Sequence, residues 1–268
     1  MTTRMTAQRL CRLIAAGDTD AVRSAIESSP RLLGSAVERS GHGGWTPLHV
    51  AVAECRPEIV RLLVSAGADL AVRTEHGRAP LHVALEHCPD LVPLLLELGA
   101  VLDAPSAAYL GRRDELTAHL DDGAPLGDKE SGADLLSWAA LGGSPATARL
   151  LLERGADADG GALHAAAAGA RLELVRLLLD AGADVDRRDP DTGRVPLHAA
   201  VGGEAAESLE VVAVLLAAGA DVNATTNDGA SALDISRVAA ARHRKGDAGR
   251  ATANDALAEL LVSHGATD

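Results

Sequence analysis

The sequence predicts an all-α solenoid of about eight helix-turn-helix units. Similar segments recur at intervals close to 33 residues, and each carries an apolar run that ends at a glycine. The composition adds a third observation, because 47% of the residues are apolar although Phe is absent and Tyr occurs once. Since Ala, Leu and Val must then fill the interior, we expect a thin, layered core of stacked repeats.

The repeated unit is clearest in two neighbouring segments. WTPLHVAVAECRPEIVRLLVSAGADL occupies 45–70 and RAPLHVALEHCPDLVPLLLELGAVL occupies 78–102, so that His49 and His82 lie 33 positions apart. The same frame returns as GALHAAAAGARLELVRLLLDAGADVD and as VPLHAAVGGEAAESLEVVAVLLAAGADVN. These two segments occupy 161–186 and 195–223.

Each part of the unit has a local physical reason. Thr46 is suited to cap the first helix and Pro47 to be its first residue, where a missing N–H costs nothing. Small residues let neighbouring first helices approach closely, and a left-handed glycine ends the second helix. The recurring alanines are Ala51, Ala84, Ala166 and Ala200, and the glycines are Gly67, Gly99, Gly155, Gly182 and Gly219.

The succession of T-P-L-H-x-A, an apolar run and G-A-D resembles the ankyrin repeat, here in a bacterial-type stand-alone array. The resemblance implies short β-hairpin fingers between the helix pairs, some of them truncated. We expect an N-terminal cap and repeats 1–3 over 1–103, and repeats 4–8 with a C-terminal cap over 104–268, as one continuous solenoid. The unit bounds are 5–40, 41–73, 74–103, 104–131, 132–159, 160–187, 188–223 and 224–268.

The fourth unit departs from this pattern. The stretch LDAPSAAYLGRRDELTAHLDDGA at 102–124 has room for both helices but not for the preceding hairpin. Its Gly111, Asp114 and Leu116 match the spacing of residues 17, 20 and 22 in the first unit. We therefore expect a starting unit placed mid-chain, an interrupted row of fingers, altered stacking after Asp103 and an exposed Tyr109. A second hairpin is shortened ahead of the sixth unit.

Histidines and cysteines are the candidates for chemistry. The resemblance implies that His49, His82, His164 and His198 link the turn of their own unit to the backbone of the next. Stacked helices lie roughly 8 to 10 Å apart, too far to share a zinc ion. By the same spacing Cys55 and Cys88 are expected to be too distant for a disulfide and to be buried fillers.

No catalytic or phosphate-binding motif occurs in the chain, so we expect no enzyme activity, no cofactor and no metal. The alternative is an unusual enzyme or small-molecule binder that uses the groove around repeats 4–6. The net charge of −13 opposes binding to nucleic acid or to an anionic membrane. No long apolar run or leader segment is apparent, and arginine strongly outnumbers lysine. A reduced, bacterial cytoplasm is the expected location.

Interaction with another protein is the predicted function. In the ankyrin family the hairpin tips and the ends of the first helices hold partners on a concave face. We expect a partner with an apolar or extended segment and basic residues; the alternative is that the small central residues only fit a curved interior. Trp138 is expected in the core, and the sequence sets neither the partner's identity nor an oligomeric state. The predicted contact residues are Trp45, Glu54, Glu75, His76, Arg78, Glu86, His87, Tyr109, Leu110, Leu141, Asp191 and Arg194, together with tip residues Arg73, Asp128, Lys129, Glu130, Asn227 and Asp228 and small floor residues Gly142, Ala168, Gly169, Gly202 and Gly203.

A basic cluster stands apart in the final unit, within RVAAARHRKGDAGRATAND at 237–255. It is expected to be either a solvated loop or a second contact, with an acidic partner or with another copy of the chain. Its basic residues are Arg237, Arg242, His243, Arg244, Lys245 and Arg250.

Overall fold

The computed structural model describes residues 5–39, 41–127, 134–202, 208–243 and 248–267. Over these residues the chain is a series of short helix pairs with one small antiparallel sheet, which confirms the predicted helical class. Short 3₁₀ turns cover Pro30–Gly34 and Pro89–Leu91. The strands are β1 (Val37–Arg39) and β2 (His42–Trp45), and the helices are α1 (Ala7–Ala16), α2 (Thr19–Ser28), α3 (Pro47–Ala53), α4 (Pro57–Ser65), α5 (Pro80–His87), α6 (Val92–Glu97), α7 (Ala104–Tyr109), α8 (Arg113–Asp121), α9 (Leu135–Gly142), α10 (Pro145–Glu153), α11 (Ala162–Ala168), α12 (Leu172–Asp180), α13 (Pro196–Gly202), α14 (Ser208–Ala217), α15 (Ala232–His243) and α16 (Ala248–Ser263).

The described residues divide into two compact units, and the boundary in the chain lies between Ser106 and Ala107. In the first unit, α3 packs between α1 and α5, while α2 packs against α4. In the second unit, α9, α11, α13 and α15 follow one another as first helices, and α8, α10, α12, α14 and α16 form the second row. Within each unit the helices therefore pack against the equivalent helices of adjacent repeats, as a repeat array requires. The continuity of the two parts as one solenoid stays a prediction.

Helix starts follow the predicted local chemistry. Thr46 is the N-cap of α3 and Pro47 its first residue. The Nδ1 atom of His49 accepts the Thr46 N–H at 3.2 Å, and His82 accepts the Ala79 N–H in the same way at 3.1 Å. The imidazole thus takes the place that a glutamate holds in the usual capping box and satisfies an N–H at the helix start.

Helix ends and core positions also agree with the prediction. The five glycines predicted to end second helices have φ between +88° and +100°, a left-handed conformation that a side chain would strain. The four recurring alanines are each 0% exposed, and Trp138 is 1% exposed, so the indole belongs to the core. Close helix approach therefore depends on small side chains in the first helices.

The row of fingers is interrupted as predicted. Long connections of residues 66–79, 181–195 and 218–231 precede α5, α13 and α15, whereas only residues 98–103 separate α6 from α7. The connection before α11, residues 154–161, is also short. Gly111 has φ +68° and Gly17 has φ +76°, so the turn from α7 to α8 resembles the turn from α1 to α2. The fourth unit is a helix pair without a preceding finger.

Candidate functional site

An aromatic and charged cluster lies at the base of the first finger, where β1 pairs with β2. Trp45 is half-buried, and the Arg39 guanidinium lies 5.3 Å from the centre of its indole ring. The same guanidinium donates to the Glu54 carboxylate at 2.8 Å. Because the side chains of Arg39 and Glu54 keep 35% and 31% of their surface, the ion pair is held in place yet remains accessible. Two predicted contact residues are thus joined by Arg39.

Sequence reasoning missed Arg39. The one available signal was its position shortly before the predicted hairpin residue Trp45. In the structure, strand β1 pairs with β2 through Val37 with Trp45 and Arg39 with His42. Strand pairing brings the arginine beside the indole, but no local pattern shows that its side chain also reaches the end of α3.

The predicted tip residues of the second finger contact the first finger. The Glu75 carboxylate accepts the Gly43 N–H at 2.9 Å, and the facing nitrogens of His76 and His42 are 2.7 Å apart. Glu75 also donates its backbone N–H to the Gly43 carbonyl at 3.3 Å. These bonds hold the two tips together and fix the direction in which His76 is presented.

Arg78 and Glu86 form a partly buried ion pair in the third repeat. The Arg78 Nε atom lies 3.1 Å from a Glu86 carboxylate oxygen, and the two side chains are 21% and 24% exposed. His87, the next residue, is exposed at the end of α5. Two predicted contact residues at helix ends, Glu54 and Glu86, are thus each paired with an arginine of a finger.

The cysteine prediction was wrong. Cys55 and Cys88 form a disulfide with their Cα atoms 5.7 Å apart, and Cys55 is exposed rather than buried. The spacing of helix axes does not limit these residues because both lie in turns beyond the helix ends. Cys55 has φ +51° in the turn after α3, whereas Cys88 has φ −148° and directly precedes Pro89, so the two residues do not occupy equivalent positions in their turns. Cys88 is 7% exposed.

Asp103 occupies the place where the third finger is absent, and its role was missed at the sequence level. Its carboxylate accepts hydrogen bonds from His82 Nε2 at 3.0 Å, from the Ser106 hydroxyl at 2.7 Å and from the Ser106 N–H at 3.2 Å. The guanidinium of Arg73 adds a contact at 3.1 Å. Burial alone would raise the pKa of Asp103, but the bonds from His82 and Ser106 outweigh it and hold the pKa well below its usual range. A hollow of about 310 Å³ opens beside these residues, with Leu70 and Val101 in its wall.

In the second unit, the predicted floor residues lie at the ends of first helices: Tyr109 and Leu110 at the end of α7, Leu141 and Gly142 at the end of α9, Ala168 and Gly169 at the end of α11, and Gly202 at the end of α13. Tyr109 packs edge-on against Trp138, with ring centres 6.2 Å apart, and is partly buried rather than exposed as predicted. Leu110 is also partly buried, whereas Leu141 is 42% exposed. A Cβ atom on Gly142 would lie 1.9 Å from the Tyr109 carbonyl oxygen, so only glycine permits this approach.

Asp191 and Arg194 are exposed on the finger before α13. The Asp191 carbonyl accepts the Asn227 side-chain amide at 3.0 Å, and the Asn227 N–H donates to Thr192 at 2.9 Å. Neighbouring tips are therefore linked by hydrogen bonds here as in the first unit. The predicted tip residues Asp128, Lys129 and Glu130 and the floor residue Gly203 lie outside the described residues.

A family model described as "Ankyrin repeats (3 copies)" matches residues 10–106, 107–189 and 136–226, which together cover most of the sequence. The chain belongs to the ankyrin-repeat family. Its histidines take the structural position implied by the resemblance: His49 Nε2 bonds the Arg78 carbonyl and His164 Nε2 the Arg194 carbonyl, each at 3.0 Å. His82 departs from this pattern. The repeat that follows it has no finger to offer a carbonyl, and the Asp103 carboxylate accepts the hydrogen bond instead.

Burial keeps two of these ankyrin histidines neutral. It lowers the pKa of His49 to about 4, and it also lowers the pKa of His198. In His49 both ring nitrogens are engaged in hydrogen bonds, one within its own repeat and one to the next. The tautomer with its proton on Nε2 satisfies both bonds. His49 therefore connects its own ankyrin repeat to the next.

Several curated ankyrin-repeat proteins are similar to parts of the chain. Human B-cell lymphoma 3 protein is 38% identical over 117 residues, covering 42% of this chain and 21% of the relative. The NF-kappa-B inhibitor cactus of Drosophila melanogaster is 38% identical over 77 residues, covering 28% and 15%. Human protein phosphatase 1 regulatory subunit 27 is 45% identical over 62 residues, covering 23% and 40%. The chain thus spans about a fifth of the length of the first relative and well under half of the others.

In the described part of the chain, no group of three or more His, Cys, Asp or Glu side chains is placed to hold a metal ion. No helix among the described residues combines the length and the apolar character needed to cross a membrane.

Within the basic cluster of 237–255, residues 244–247 and the side chains of residues 242, 243 and 248–253 lie outside the described part. The role of the cluster therefore stays a prediction.

Proposed function

We propose that the chain is a non-enzymatic scaffold that binds a partner protein through its fingers and first-helix ends. The observation that carries the proposal is the cluster of Trp45, Arg39 and Glu54. An accessible indole beside a guanidinium that a carboxylate holds in place combines a large apolar surface with oriented polar groups. Trp and Arg are the residue types that most often dominate binding energy at protein interfaces.

The relatives support the same class of function. One is named as an inhibitor of NF-kappa-B and another as a regulatory subunit of protein phosphatase 1, and both names describe action on another protein. We propose by analogy that this chain also acts on a protein. The net charge of −13 favours a partner with basic residues, and a location in a bacterial cytoplasm is proposed from composition alone.

The contact set proposed for the first unit consists of Trp45, Glu54, Glu75, His76, Arg78, Glu86 and His87. For the second unit it consists of Leu141 with the partly buried Tyr109 and Leu110, and of the exposed tip residues Asp191 and Arg194. A partner segment with apolar side chains and flanking Lys or Arg fits both sets, because each set combines at least one carboxylate with an accessible apolar side chain, Trp45 in the first and Leu141 in the second.

The proposal is tested with the full chain as bait for its native lysate, followed by affinity measurement with the purified partner. Trp45→Ala should weaken binding about ten- to thirtyfold, as loss of an interface hot spot does. Glu54→Gln should weaken it less, and Glu58→Gln is the matched control because Glu58 is exposed on the second helix of the same repeat. Equal affinities for the wild type, Trp45→Ala and Glu54→Gln would refute the proposed face.

A further inference from the structure

The Cys55–Cys88 disulfide joins two residues that directly follow proposed contact residues. Glu54 precedes Cys55 at the end of α3, while Glu86 and His87 precede Cys88 at the end of α5. The Cys55 Sγ atom lies 3.9 Å from the His87 carbonyl oxygen. The covalent bond therefore spans the two repeats at the point where the proposed binding face crosses between them.

The bond is not required for the local fold of the Cys55 turn. Ala170 has φ +50° in the turn between α11 and α12, which matches the +51° of Cys55 between α3 and α4. Arg171 follows Ala170 as Arg56 follows Cys55, and both turns lead directly into the second helix. An unlinked alanine thus supports the same backbone elsewhere in the chain, so the cysteines add a constraint between repeats rather than a turn.

The two sulfur atoms differ in accessibility. Cys55 is exposed at the surface, whereas Cys88 is 7% exposed. Thiol–disulfide exchange needs in-line approach of a thiolate to one sulfur while the other leaves. An external thiol can therefore reach Cys55, and Cys88 is the leaving group.

We propose that Cys55 and Cys88 form a thiol–disulfide exchange site for a low-molecular-weight thiol, and that this exchange controls the spacing of the two helix ends that carry Glu54, Glu86 and His87. This inference rests on the proposed function, because the consequence for binding requires that these residues contact a partner. In the oxidised chain the helix ends are tied together. In the reduced chain they are free to move apart.

The chemistry balances with two equivalents of thiol. One thiolate attacks the Cys55 sulfur and forms a mixed disulfide, while the Cys88 thiolate leaves and takes a proton from water. A second thiolate attacks the external sulfur of the mixed disulfide, releasing the Cys55 thiolate, which is also protonated. The two external thiols are oxidised to their disulfide as the protein disulfide gains two electrons, and the reverse sequence re-forms the Cys55–Cys88 bond.

The site of attack is tested with glutathione as the probe. Cys11 is changed to Ser in every protein, because it is a third thiol outside the pair. Oxidised glutathione should modify Cys55 in the Cys88→Ser variant at least about tenfold faster than it modifies Cys88 in the Cys55→Ser variant. Equal rates, or faster modification of Cys88, would overturn the assignment of Cys55 as the point of attack. Far-UV circular dichroism establishes that each variant is folded.

The effect of the disulfide on the helix ends is tested in the wild-type chain. Amide hydrogen exchange is measured before and after reduction by glutathione. Exchange at residues 54–56 and 86–88 should rise about tenfold on reduction. The turn at residues 168–171 is the internal control and should not change. If exchange at both linked turns stays the same after mass spectrometry has shown complete reduction, the disulfide does not control the helix ends and the inference fails.

A paired capture from native lysate separates this inference from the proposed function. The oxidised chain and the Cys55→Ala/Cys88→Ala variant serve as baits under identical conditions. Capture of a specific partner at different affinity by the two baits supports both proposals, and equal affinity overturns redox control of binding alone. Absence of any specific partner for either bait overturns the proposed function, while the exchange measurement still decides whether the disulfide restrains the helix ends.

Discussion

Acidification from pH 7 to pH 4 should destabilise the chain through His49. This side chain is 0% exposed, and burial lowers its pKa from 6.5 to about 4 in the folded state. At pH 7 both the folded and the unfolded states are neutral at this position. As the pH falls below 6.5, His49 becomes protonated in the unfolded state, whereas in the folded state it stays neutral down to about pH 4. The free energy of unfolding therefore decreases across this window.

The expected size follows from the pKa difference. One pKa unit corresponds to 1.36 kcal/mol, so the difference between 6.5 and about 4 amounts to about 3 kcal/mol lost by pH 4. Urea unfolding at half-unit pH steps from 4 to 7 measures this slope in the wild type and in His49→Gln. His87→Gln is the matched control, because His87 lies in the same unit but is exposed.

The result that would refute the reasoning is also specific. His49→Gln should be less stable than the wild type at pH 7 and should show a shallower loss between pH 6.5 and 4, whereas His87→Gln should follow the wild type. Parallel curves for all three proteins would show that His49 contributes nothing to the slope. Titration of the His49 ring by NMR in the folded wild type provides a second measurement, and a pKa of 6 or higher would contradict the structural cause.

Three further predictions concern the missing finger, the helix approach and the disulfide. Asp103→Ala should lower the free energy of unfolding by about 2 kcal/mol in urea, because His82 and Ser106 lose a buried acceptor. Since the pKa of Asp103 is depressed in the folded state, the wild-type contribution should be present above about pH 4 and be lost on further acidification, and Asp103→Ala should lack this acid dependence. Gly142→Ala should destabilise the chain by about 1 to 3 kcal/mol, because its Cβ atom would meet the Tyr109 carbonyl. Gly202→Ala at the corresponding end of α13 is the control, because its Cβ atom meets none of the described residues within 4 Å. Equal thermal stability of both variants would contradict the packing argument. Reduction of the disulfide, whose cysteines are 33 residues apart, should lower the free energy of unfolding by roughly 3 to 4 kcal/mol. Urea unfolding of the same protein with reductant and without it measures this difference. The Cys55→Ala/Cys88→Ala variant should show no effect of reductant.

The sequence determined the repeat architecture because its signals are local. Capping by Thr46, helix initiation at Pro47 and termination at the left-handed glycines depend on residues within one or two turns of each other. The absence of a finger before α7 was equally readable, because too few residues separate the two helices. The 33-residue period then repeats these local decisions along the chain.

Contacts between repeats were decided only by the tertiary structure. Arg39 joins Trp45 to Glu54, the Asp103 carboxylate replaces a finger carbonyl for His82, and two cysteines in unlike turns approach to 5.7 Å between Cα atoms. Each depends on the direction of a side chain and the shape of a turn in residues 15 to 33 positions apart. A repeat period predicts which helices are neighbours, because that follows from the order of units. It does not predict which side chains meet, because a single residue removed from one turn changes the distance between the residues that follow.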